Sequence, residues 1–186
     1  MNSEIRRILC ATNLSGNCDH IYSCAMNLAS ERDASLMVMH VISQGSIKAA
    51  KTLAYFLNES HKDVVKDKAY SALQRMKEEL SSFLKKEIEH HSAYPGLIEH
   101  MLVYPGNIAD TIVEKAEYFG CNAIVLGSHR NSFLARFFLG DTTKNVLRRT
   151  KKPVFLVSIK KGKINITTHN KGSFYKGEHK NCYANC

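Results

Sequence analysis

Gly127 and Gly140 stand twelve residues apart at the two ends of the segment Gly-Ser-His-Arg-Asn-Ser-Phe-Leu-Ala-Arg-Phe-Phe-Leu-Gly, which runs on into Asp141-Thr-Thr. The first glycine closes an apolar run, Cys121-Asn-Ala-Ile-Val-Leu126, and the second opens a polar, helix-like one. A strand ending in glycine and a helix beginning with one leave backbone N–H groups free beside a positive dipole end, which suits an anion such as a phosphate. His129 and Arg130 add an imidazole and a guanidinium to the loop, and the Arg130 fork can reach a phosphate. Thr142 and Thr143 add hydroxyls. Asp141 is expected to cap the helix, and the same carboxylate repels a triphosphate.

Other side chains with chemical potential resolve into plainer roles. Ser15 and the pair Ser128-His129 have no Gly-x-Ser-x-Gly elbow and no orienting carboxylate, so nucleophilic catalysis has no motif. No Walker lysine is present, which argues against efficient nucleotide hydrolysis. His169, His179, Cys182 and Cys186 could supply four zinc ligands, but their spacing matches no compact zinc module, and Cys182 and Cys186 make a poor redox pair. His40 lies on an apolar run and reads as a satisfied core residue, while His90-His91 end a helical pattern as a C-terminal cap. Phe133, Leu134, Phe137 and Phe138, interleaved with Arg130 and Arg136, read as packing beneath the loop rather than as a base-stacking patch.

The loop has to be held by a scaffold, and the hydropathy pattern supplies one. Arg6–Thr12 is a short buried strand followed by Asn13-Leu-Ser-Gly-Asn17 turn chemistry. Residues 18–32 have the 3.6-residue apolar period of a helix, with Ile21, Cys24, Ala25, Leu28 and Ala29 on one face. Ala34–Ile42 is nearly continuously apolar, as in a parallel strand covered on both faces. Residues 44–58 allow either a helix or a mobile lid, and 59–90 form the longest helix, broken by Pro95-Gly96. Leu97–Tyr104 is a third strand, and a helix from Ile108 to Phe119 follows with Asn107 as N-cap and Gly120 just past its end. The fourth strand is Cys121–Leu126, a helix covers 141–150, and Lys152–Ser158 is the fifth strand with Pro153 near its start. This alternation defines an α/β fold, an open doubly wound five-stranded parallel sheet with helices on both faces, in residues 1–159. Ligands of such sheets bind beyond the carboxyl ends of the strands where the strand order reverses. Thr12 to Ser15, Val41 to Ser43 and Gly127 onward meet that description.

Composition sets the setting. The 186 residues carry a net charge of +9, of which residues 160–186 hold six lysines against Glu178, and 1–159 hold 20 basic and 16 acidic residues. Residues 160–186, rich in lysine, glycine, threonine and asparagine, are read as a solvated, poorly ordered basic tail rather than as a nucleic-acid arm. No apolar run of eighteen residues spans a membrane and no leader precedes the first strand, so a cytoplasmic location with six reduced cysteines is expected.

Five segments together resemble the universal stress protein family, over roughly residues 5–159. They are Arg7-Ile-Leu-Cys-Ala-Thr-Asn-Leu-Ser15, Pro105-Gly-Asn-Ile-Ala-Asp-Thr-Ile112 continuing to Ala116, Ala123-Ile-Val-Leu-Gly-Ser-His129, Phe137-Phe-Leu-Gly-Asp141, and Val146-Leu-Arg-Arg-Thr-Lys-Lys-Pro-Val-Phe-Leu-Val157. The resemblance implies a homodimer through the last strand, Val154–Val157. For the members that bind ATP it implies a pattern of Gly, two residues, Gly, nine residues, Gly, then Ser or Thr. Gly127 and Gly140 keep the outer spacing, Arg130 stands at the middle glycine, Asp141 stands at the Ser/Thr, and Asn13 stands at the family's aspartate. The expected ligand is ATP or a related adenine nucleotide with Mg, contacting Thr12, Asn13, Val41, Gly127, His129, Arg130, Gly140, Asp141 and Thr142. The expectation is a binding or regulatory module of the stress response rather than an enzyme. The alternatives are an interaction protein that has lost the site and a slow ATP hydrolase.

Overall fold

The fold is taken from a computed structural model that describes residues 5–13, 18–48, 71, 74–75, 78–79, 81–82, 96–127, 140–160, 163–170 and 173–177. The five expected strands form: β1 (Arg7–Thr12), β2 (Ser35–Ser43), β3 (Ile98–Gly106), β4 (Ala123–Gly127) and β5 (Val154–Lys160). They pair in parallel in the order β3-β2-β1-β4-β5. β1 lies at the centre, with Cys10 beside Val38 on one side and Val125 on the other. Strand order reverses at β1, so the crevice between the ends of β1 and β4 is the switch point.

Helices cover both faces. α1 (Cys18–Ser30) buries Ile21, Cys24, Ala25, Leu28 and Ala29 as its period predicts, against Ile8, Cys10 and Val125 of the sheet. α2 (Ile108–Tyr118) and α3 (Asp141–Arg149) cover the other face, where Ile112, Ala116 and Val146 meet Leu9, Met37 and Ile124. The two faces of each strand are therefore both apolar, which is why β2 reads Leu-Met-Val-Met without alternation.

Both ends of α2 behave as the sequence predicts. The Asn107 side chain accepts from the Asp110 N–H at 3.2 Å. Gly120 takes φ 64°, and the Cys121 N–H reaches back to the Ala116 carbonyl at 2.9 Å, closing a Schellman turn. α1 ends the same way without glycine: Asp33 takes φ 50° while the Ala34 N–H donates to the Ala29 carbonyl. β3 runs two residues past the expected strand, through Pro105 and Gly106, which a sheet-edge position allows. Glu99 is an extra residue in its register with β2, and its carboxylate takes both Arg7 (Nε, 2.8 Å) and Ser35 (Oγ, 2.9 Å). Arg7 Nη1 also donates to the Phe119 carbonyl at 2.7 Å, tying β1 and β3 to the end of α2.

Two expectations need correction. The sheet has seven strands, because residues taken for a poorly ordered tail include β6 (Lys163–Asn170) and β7 (Ser173–Gly177). β6 runs antiparallel to β5 and β7 antiparallel to β6. Ile164, Ile166, Thr167 and Thr168 are the β-branched residues that favour it. The outer side of β5, on which the implied dimer contact falls, is thus paired with the chain's own β6. Residues 44–48 are helical, while 49–58 and the apolar face of the long helix lie outside the described residues. Its polar positions Ser71, Gln74, Arg75, Glu78 and Glu79 are helical and exposed, as the period requires.

Candidate functional site

β1, β2 and β4 are parallel, so Thr12-Asn13, Val41 and Gly127 arrive together at one edge of the sheet. Thr12 is half-buried and Asn13 exposed. His40, paired in register with Thr12, donates from Nδ1–H to the Thr12 carbonyl at 2.9 Å. This bond fixes the end of β1 from which Asn13 projects, and it selects the tautomer protonated at Nδ1. The sequence reads His40 as a satisfied core residue; it is satisfied, but it is half-buried and its partner is the carbonyl at the end of β1. The nearly unbroken apolar context of β2 masked that position. Val41 is buried in the core on the α2–α3 face, so its side chain supports the floor and only its backbone is left to meet a ligand.

Gly127 has a second reason to be glycine. A Cβ there would collide with Ile21 Cδ1 of α1. A side chain at Gly127 would therefore need Ile21 to turn aside, so the packing of α1 on the end of β4 favours glycine there whatever the loop beyond it holds. Gly140 differs. Its φ of −56° and ψ of 155° suit any residue, and a Cβ would meet nothing within 4 Å among the described residues.

α3 departs from expectation at its first turn. Gly140 is the N-cap and Asp141 the first helical residue, so the expected capping by Asp141 does not occur, and among the described residues no side chain caps the helix. The Asp141 side chain is 98% exposed, with Oδ1 4.0 Å from Lys144 Nζ, a pair worth a few tenths of a kcal/mol at most. Its carboxylate consequently leaves the first N–H groups of α3 uncovered, though its charge stays within the first turn. Thr143 is buried, which withdraws its hydroxyl, whereas Thr142 is half-buried at the helix start. Beyond the first turn α3 is held to α2 by Arg149 Nε–Asp110 Oδ1 at 3.0 Å and, just past its end, by Lys152 Nζ–Glu117 Oε2 at 3.0 Å. His129, Arg130, Ser15, Ser128 and the aromatic loop 131–139 lie outside the described residues.

Among the described residues Cys10, Cys24 and Cys121 are buried thiols. Burial pushes the Cys121 thiol up to about 11, and its S–H donates to Met37 Sδ at 3.6 Å. Among the described residues no three His, Cys, Asp or Glu side chains stand together as a metal site, and no helix is long and apolar enough to cross a membrane.

A mostly parallel, doubly wound sheet with helices on both faces places the protein in the open α/β class. The model of the universal stress protein family matches residues 4–158, and the chain belongs to that family. It is 24% identical over 165 residues to the universal stress protein MJ0577 of Methanocaldococcus jannaschii, covering 86% of this chain and 99% of that protein. A solved structure of hypothetical protein MJ0577 superposes with TM-score 0.62 at 22% identity, covering 84% of this chain and 98% of the other. UspA of Lactobacillus plantarum superposes with TM-score 0.61 at 17% identity, over 86% of this chain and all of that one. A universal stress protein solved in complex with cAMP gives TM-score 0.50 at 21% identity, over 84% of this chain and 98% of that one.

Proposed function

We propose that this chain is a regulatory binding module whose ligand is an adenine nucleotide, ATP or a close relative, held where β1 and β4 end and α3 begins. The observation that carries the reading is the start of α3, where among the described residues no side chain caps the N–H groups and Asp141 points into solvent. Family membership and a fold relative solved with cAMP support the choice of adenine nucleotide. In this reading Gly127, Gly140 and Thr142 meet the phosphates, and His129 and Arg130 belong to the loop that joins them in sequence. Thr12, Asn13 and the Val41 backbone meet the nucleoside. Asn13 is uncharged, so a Mg ion would be held by the phosphates rather than by the protein. The reading carries with it a cytoplasmic location and a signalling rather than a catalytic role; the sequence has no Walker lysine, which argues against efficient turnover.

Isothermal calorimetry of the full chain with ATP, ADP and AMP, with and without magnesium, tests it. Saturable heat and a rise in melting temperature are expected, approaching about 2.7 kcal/mol of added stability at nucleotide a hundredfold above Kd. No heat and no thermal shift at millimolar nucleotide would sink the reading. Released phosphate is expected to stay at the uncatalysed background, and steady turnover would point to the slow hydrolase instead. The combined Arg130→Gly and Asp141→Ser variant should bind more tightly than the parent. A second reading, an interaction protein that has given up the ligand, draws on Asp141: its charge remains within the first turn of α3 even though the side chain points away. Binding by the double variant alone would favour that second reading.

A further inference from the structure

Residues 141–177, from the start of α3 to the end of β7, hold ten of the chain's 26 Lys and Arg but only one of its 17 Asp and Glu, Asp141. The rest of the chain carries sixteen of each and is neutral, so the whole net charge of +9 belongs to this one segment. The sheet sorts those cations by face. Successive strand residues alternate between faces, and directly opposed residues share one. Leu156 of β5 lies in the core beneath α2 and α3, so Lys160, four residues on, falls on that face too. Lys163, opposite Lys160, does likewise, as do Thr167 opposite Leu156 and Lys176 opposite Thr167. Ile159, Ile164 and Ile166 fall on the other face, where Ile166 packs against the α1 core. α3 adds to the basic side. Its Arg149 turns to Asp110 of α2, the helix that packs on β2 and β3, and Lys144 lies about 140° round α3 from Arg149, on the flank towards β5. Arg148, one turn after Lys144, and Lys151, just past the C-cap Thr150, are exposed.

We propose that the α3 side of the β5-β6-β7 margin is a binding surface for single-stranded nucleic acid. Reading the basic residues beyond 160 as a solvated tail rested on disorder, and β6 and β7 are ordered sheet with isoleucine on one face and lysine on the other. Cations fixed on one face line up against a polyanion, where each phosphate neutralised releases counterions. The partner's class follows from the residues between the lysines. His169 stands opposite Val154 and Phe174 opposite His169, which places an imidazole residue and a phenyl residue on the same face as Lys163 and Lys176. An open sheet that carries aromatic residues among cations suits unpaired bases, which stack on rings while the backbone follows the charge. A duplex hides its base faces, and an acidic polypeptide has none to stack. The surface uses none of the residues assigned to the mononucleotide, so either reading can fail without the other.

Fluorescence anisotropy of the full chain with a labelled oligouridylate of about 16 nucleotides, over a series of salt concentrations, tests the proposal. Saturable binding is expected, with the logarithm of affinity falling linearly against that of salt. Lys160→Gln, Lys163→Gln and Lys176→Gln together should weaken binding at least about tenfold and reduce the salt slope by about 2, at roughly 0.7 per phosphate contact. Removing three exposed cations elsewhere, by Arg6→Gln, Arg32→Gln and Arg75→Gln, should change affinity and slope far less. Phe174→Ala should weaken binding at least about fivefold while the salt slope stays as it was. Polyglutamate and phosphatidylserine vesicles should bind at least about tenfold more weakly than the oligonucleotide. The proposal is overturned if the oligouridylate does not bind, if the two triple variants lose equally, or if Phe174→Ala changes nothing. Polyglutamate or vesicles binding as tightly as the oligonucleotide would overturn it too, marking a surface for acidic proteins or for membranes instead.

Discussion

At the scale of single residues, Gly127 shows how one position can satisfy two demands. The phosphate pattern explains a glycine there, and so does the Ile21 side chain that occupies the space of a Cβ. Gly127→Ala should destabilise the fold by up to roughly 1–3 kcal/mol in urea denaturation, and combined with Ile21→Ala the total loss should be smaller than the sum of the two single losses, because the truncation makes room. Strictly additive losses would return the glycine to the loop alone. Cys121 offers a test by pH. Burial raises its thiol from 9.0 to about 11, so the unfolded chain ionises first and the thiol's contribution is complete below pH 9. Stability should fall as pH climbs from 9 towards 11, and Cys121→Val should flatten that decline in thermal melts. His40 was legible as a partnered histidine, but its partner, the Thr12 carbonyl, was not, because strand register is a property of two segments.

At the scale of elements, α2 could be read completely from its sequence. Asn107, the apolar stripe and Gly120 each act locally, and each does in the structure what its chemistry predicts. Asn107→Ala should therefore remove about 1 kcal/mol of stability, measured by thermal unfolding, with little change in the rest of the fold. The start of α3 was harder, since Gly140 and Asp141 compete for one role and only the chain path shows that glycine takes it. The end of α1 was harder still, because Asp33 occupies a left-handed position where glycine would be the usual signal. β6 and β7 escaped the sequence reading for a different reason. Lysine, glycine, threonine and asparagine dominate residues 160–186 as a whole, and the Ile164–Ile166 alternation is too short to outweigh them without β5 alongside.

At the scale of the molecule, the basic surplus of residues 160–186 is partly built into the sheet margin. Lys160 and Lys163 are direct cross-strand partners, and like charges so placed oppose pairing. Lys163→Glu should hold β6 more firmly against β5, seen as slower hydrogen exchange in β6, and added salt should do the same for the parent by screening the repulsion. The central position of β1 has its own consequence for how the chain is made. β1 leaves the ribosome first, yet its partner β4 begins at Ala123, and the bonds that seal the two ends, Arg7 to Phe119 and to Asn122, span 112 and 115 positions. Until that stretch has been translated, one flank of the innermost strand stays open, so nascent chains of this protein should depend on holding chaperones far more than the finished fold does.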